Sequence, residues 1–296
     1  MPLSSRPQLI ASNDDVHFQP TTISTRRISA LIALLATAAC QGDAAGSDAR
    51  PAGSAAKGAR TGASNGDVVI AAPTAPYRVA AVSAPGTVSG TISLKGTPPA
   101  LPAFPTGKEA ATCGASMADE SVQSQGGGLG NVVVWLEGVR AGKPIGLERR
   151  LELESDHCKL VPRVQAAVVG SSVNILGHDD YRQHLAFSAA GDSAARATIL
   201  LGGGEQVIPT DLPFRAPGMV SVSDKDHAWT RAYLAVFDHP YFAVSTANGT
   251  YSIDGVPPGS YTLHAWHERT GTTQQKVEVG ANGSVKVPLT LELKTN

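Results

Sequence analysis

Between Gly86 and the C-terminus the chain never sustains apolar residues at helical spacing. Short β-branched runs recur instead between Gly, Pro and Asn turns: TVSGTISL, NVVVWLEGV, RVQAAVV, SVNIL, MVSVS, RAYLAVF, GTYSIDGV, SYTLHAWH, QQKVEV and SVKVPLTLEL. Successive side chains of a strand point to opposite faces, so runs of this length and composition build layered sheets rather than a helical bundle. The 31 Gly and 20 Pro among 296 residues supply the turns such layers need. The expected class is all-β, two β-sandwiches of Greek-key type. Asn248-Gly249 and Asn282-Gly283 read as two-residue hairpin turns, because both central positions of that turn need φ > 0. Both also fit the glycosylation sequon, and the turn reading is preferred.

Charge excludes one class of partner. Lys and Arg number 24 against 25 Asp and Glu, a net charge of −1, and no basic stripe appears. Nothing here attracts nucleic acid.

The N-terminus points to export. Arg26-Arg27 precede ISALIALLATAAC, an apolar segment too short to span a bilayer, so residues 1–40 read as a signal peptide. Thr37-Ala38-Ala39-Cys40 resembles a bacterial lipobox, which implies that Cys40 becomes the lipidated first residue of the mature protein. Ordinary cleavage after an A-x-A-like site is the alternative. Under the lipobox reading the partner is a membrane, reached through the lipid anchor. Gln41 in place of aspartate then suggests the outer membrane, with the protein on the periplasmic side.

Residues 41–85 follow as an Ala/Gly/Ser-rich linker, almost free of large apolar side chains as far as about Asn65 and expected to be disordered there. Gly62 to Gly66 fits G-x-S-x-G, but no strand precedes that serine and no helix follows it, so the match is chance. Lipidation of Cys40 leaves Cys113 and Cys158 as the only possible pair. In an oxidising compartment they are expected to bridge, with two buried thiols as the alternative.

Two resemblances emerge from the strands. ANGTYSIDGVPPGSYTLHAWH, Ala247 to His267, resembles the carboxypeptidase regulatory-like domain, and Gly86-Thr87-Val88-Ser89-Gly90-Thr91-Ile92 matches that family's opening G-x-V-x-G-x-I strand. This implies a transthyretin-like sandwich assembled from 86–150 and 241–296, with something else inserted. The insert, 151–240, resembles a cupredoxin of plastocyanin or amicyanin type. Its string VPRVQAAVVGSSVNILGHDDYRQHLAF resembles the stretch that leads to the first copper ligand, which places that ligand at His184, with Asp180 at the family's aspartate and His178 where it has Asn. In SDKDHAWTRAY, the residues His227, Trp229, Ala232 and Tyr233 match the second ligand loop. Asp224 stands where the family has its cysteine and Thr230 where it has its methionine. A type 1 copper site needs the thiolate, and Asp224 offers a hard oxygen instead.

Three functional readings follow. The first is a non-enzymatic binding or structural protein of the cell envelope, cupredoxin-like in scaffold and without its copper. The second is Cu(II) or Zn(II) binding through His184, Asp224 and His227, with His178 as a further donor. The third is carbohydrate or surface binding across Trp266, Tyr251 and Tyr261, rings equally suited to a core. The protein or carbohydrate partner is left open. Catalysis is not expected: His264 and His267 lie three apart on a strand and so on opposite faces, and the LGGG at Leu201 to Gly204 lacks the Lys-Ser/Thr of a phosphate loop.

Overall fold

Val132, Val134 and Leu136 face one way around the strand Val133–Glu137 and Val133 and Trp135 the other, yet all five are buried. A strand alternates polar with apolar residues only when one of its faces meets water. The uninterrupted apolar run here therefore marks a strand sandwiched between two packed layers. The same holds for Arg231–Phe237, where Ala232 and Leu234 enter one core while Ala235 and Phe237 enter another.

The computed structural model describes residue 70 and residues 75–147, 149–190, 195–210 and 214–294. Residues 1–40, read as a signal peptide ending at Cys40, and most of the stretch read as a linker lie outside the described residues. The fold is all-β apart from one short helical turn at Gly107–Cys113. One sandwich draws strands from both ends of the chain. Its first sheet orders Phe242–Val244, Val133–Glu137, Gly259–His267 and Gly271–Val279, and its second is organised on Gly86–Leu94. That strand pairs antiparallel with Thr250–Val256 and parallel with Ser284–Lys286 and Leu289–Leu291. Val88, Ile92, Leu136, Ile253 and Leu263 fill the space between the two sheets.

The residues between form two further sheets. One orders Lys159–Val161, Arg150–Asp156, Ser172–Gly177 and Gln206–Pro209; the other orders Val164–Val168, Arg231–Phe237, Gly218–Asp224, Gln183–Ala189 and Ala195–Leu201. Leu153, Ile175, Leu185, Val222 and Leu234 are buried between them. The two sandwiches meet through a third core in which Trp135 and Trp266 face Val164, Ala235 and Phe237.

The Asn-Gly turns correct one expectation. Both sites are turns, closed by Gly249 N to Thr246 O at 2.8 Å and Gly283 N to Gly280 O at 3.0 Å. Neither joins paired strands. Phe242–Val244 pairs with Val133–Glu137 while Thr250–Val256 pairs with Gly86–Leu94, so the chain changes sheet at Asn248-Gly249, and it does so again at Asn282-Gly283. Gly249 has φ +82, and a Cβ there would lie 2.1 Å from the Ile92 carbonyl oxygen, so the residue is demanded by close approach as well as by its dihedral.

A two-residue hairpin turn does occur at His157-Cys158, where Asp156 pairs with Lys159 and both central residues have positive φ, 50° and 62°. Side chains with a Cβ resist that region. Here the disulfide and a buried carboxylate hold them in it. The stretch read as linker also ends in ordered chain. Arg78–Val79 pairs in parallel with Ala141–Gly142, and the Tyr77 hydroxyl donates to the Lys143 carbonyl at 2.6 Å.

Candidate functional site

Asp224 ends the strand Gly218–Asp224 directly opposite Leu185, and this register puts the backbone of His184 beside its carboxylate. Oδ2 accepts the His184 N–H at 2.9 Å and lies 2.9 Å from His227 Nδ1, while Oδ1 accepts the Asp226 N–H at 2.8 Å. The last of these bonds is the ordinary habit of an aspartate opening a turn, reaching the amide two residues on. Thr230 N donates to the His227 carbonyl at 3.0 Å and closes the loop. The Asp224 side chain is completely buried. A buried carboxylate persists only when its oxygens are matched by donors, and each oxygen here is.

His227 is the second fixed point. Its ring is 2% exposed, and its Nε2 lies 3.3 Å from Glu109 Oε1, so a carboxylate faces each nitrogen. Tyr181 meets the ring edge-on at 4.9 Å and Trp229 packs on it at 5.1 Å. His184 behaves differently: its side chain is 38% exposed and its Nδ1 lies 3.2 Å from Asp226 Oδ2. His178 is engaged elsewhere, 2.8 Å from Glu205, whose hydrogen bond raises its pKa. Asp180 is exposed.

The candidate ligands His184, Asp224 and His227 do come together, but through hydrogen bonds. His184 joins Asp224 by its backbone and His227 by its ring. Among the described residues no group of three or more His, Cys, Asp or Glu is disposed to hold a metal ion. The donors do not fit type 1 copper, which needs thiolate where Asp224 stands. Nor, as placed, do they form a nitrogen and oxygen set, because the Asp224 carboxylate is already engaged by the His184 and Asp226 amides and by the His227 ring.

Several residues of this end were not legible beforehand. Glu109 reaches His227 because the segment that carries it is pinned by the Cys113–Cys158 disulfide, Cα–Cα 5.7 Å. The alternative of two free thiols is thereby set aside. The bridge packs with Met117, Tyr181 and Trp229, covering this end of the inner sandwich. Asp179, rather than its neighbour Asp180, is the buried acid. It accepts the Cys158 N–H at 2.8 Å and the Ser155 hydroxyl at 2.7 Å, steadying the strained turn. Asp179 and Asp180 both lie in the bend between Ser172–Gly177 and Gln183–Ala189, and nothing local distinguishes them. Tyr181 Oη, Trp229 Nε1 and Thr230 Oγ1 are buried with no hydrogen-bond partner, and burial pushes the Tyr181 hydroxyl up to about 12.

The rings considered for carbohydrate stacking are core instead. Trp266 is 2% exposed between the sandwiches, Tyr251 donates from its buried hydroxyl to the Val287 carbonyl, and Tyr261 packs against the outer core. His264 stacks on Trp135 and meets Glu137 at 2.7 Å, whereas His267 is buried. Burial, with Arg163 and Arg269 nearby, holds the His267 pKa down to about 4.

No family model and no curated protein matches the chain. Among solved structures, a copper-containing nitrite reductase from Thermus scotoductus SA-01 aligns at 15% identity and a TM-score of 0.25, over 34% of this chain and 24% of that one. The match thus spans about a quarter of the reductase. A reduced Cu(I) amicyanin mutant aligns at 16% identity and a TM-score of 0.25, over 31% of this chain and 85% of its own. An oxidised amicyanin mutant aligns at 17% identity and a TM-score of 0.26, over 30% and 84%.

Proposed function

We propose that the chain is a non-enzymatic binding protein of the bacterial cell envelope, in which a cupredoxin-like ligand loop serves as a structural post rather than a copper site. The carrying observation is the Asp224 carboxylate, fully buried at the cysteine position and engaged by His184 N, Asp226 N and His227 Nδ1. The disulfide-pinned cap adds support, because it covers the end from which His227 would otherwise be reached. Metal binding through His184, Asp224 and His227 is the competing reading, and it would require these hydrogen bonds to break.

Protein purified without chelator should carry less than stoichiometric copper and zinc, and adding Cu(II) should produce no intense visible charge-transfer band. One equivalent of tightly held metal would overturn the proposal in favour of the competing one. The double variant Asp224→Cys, Thr230→Met restores the family's ligand types beside both histidines. It should turn blue with Cu(II) if the loop is a copper loop in origin, and a folded, colourless variant would refute that origin.

The envelope part of the proposal draws on the signal-like N-terminus and on the lipobox-like Thr37-Ala38-Ala39-Cys40. Lipidated Cys40 would tether the domain to the membrane, on the periplasmic side of the outer membrane. A Cys40→Ser variant should then move from the membrane to the soluble fraction on cell fractionation. Retention equal to the wild type would remove the tether.

A further inference from the structure

A cleft of about 350 Å³ opens beside the capped end, where three stretches of chain meet: the cap at 119–121, the inner sandwich at Arg163 and Trp229–Tyr233, and the turn at 268–271 with Lys294. Its carboxylates are matched inside the protein. Glu268 takes two bonds from Arg163, at 2.6 and 2.9 Å; Glu120 pairs with Lys159; and Asp119 accepts the Ser121 N–H at 2.9 Å. Its other cations are not matched. Arg231, Arg269 and Lys294 have no carboxylate partner among the described residues.

Ser121 and the indole of Trp229 line the same wall. Guanidinium forks fit carboxylates, and an indole face suits an apolar ring face. The volume lies at the small end for ligand pockets, of a size for one or two sugar rings.

We propose that this cleft binds an acidic sugar, a uronate whose carboxylate meets Arg231, Arg269 and Lys294 while its ring lies against Trp229. The assignment rests on the binding-protein reading and names its ligand. Titrating the full mature chain with digalacturonate, followed by tryptophan emission, should give saturable binding that weakens as salt is raised. The neutral disaccharide maltose should give none at the same concentrations. The variant Arg231→Gln, Arg269→Gln should bind at least about tenfold more weakly, and the single variant Arg231→Gln, at an exposed position, keeps the test decisive if the double variant does not fold.

Three results overturn the assignment: no saturation with digalacturonate, equal affinity for maltose or for inorganic phosphate, or unchanged affinity after the arginines are removed. Each leaves the metal analysis free to decide the binding-protein reading on its own.

Discussion

Replacing Asp224 by alanine should lower the stability of the folded domain by about 3–5 kcal/mol, since it strips a buried network of its common acceptor. The His184 and Asp226 amides lose their acceptor, and His227 keeps only Glu109. Asp224→Asn should cost less, because one amide oxygen still accepts while the NH₂ meets donors. Asp226→Ala is the control. Its side chain is 44% exposed and touches only the half-exposed His184 ring, so a change within about 0.5 kcal/mol is expected. Urea unfolding followed by circular dichroism reads all three. If Asp224→Ala unfolds at the wild-type midpoint, the carboxylate is not the post described above.

The second large effect belongs to the disulfide. A Cys113→Ser, Cys158→Ser variant releases a cross-link spanning 45 residues, and the loss of that constraint on the unfolded chain should cost about 2–4 kcal/mol. The native state should loosen in a particular place as well. The cap carrying Glu109 would be free to leave His227, and the turn at His157-Cys158, with both residues at positive φ, would depend on Asp179 alone. Tryptophan emission should shift because Trp229 packs with the bridge. A variant with an unchanged urea midpoint and unchanged emission would show that the cap is held by other contacts.

Much of the architecture was legible because strand chemistry is local. Alternation and turn residues locate Gly86–Leu94, Thr250–Val256 and Gly259–His267 almost to the residue. Register is not local, and the Asn-Gly turns show why. A turn's dihedrals say that the chain reverses, while the partner of the next strand depends on which sheet has apolar surface to cover. The same limit separates Asp179 from Asp180 and hides Glu109, whose contact with His227 spans 118 residues.

By itself the sequence determined that the chain is all-β and that an acid, Asp224, stands three residues before His227, since both follow from residue identity. The tertiary structure alone decided what that carboxylate does. Its burial, the His184 amide delivered by an adjacent strand and the cap pinned by a distant disulfide convert three candidate ligands into a closed hydrogen-bond network. Whether polar groups present themselves to a metal or to one another depends on directions and distances between segments remote in the chain, which only packing sets.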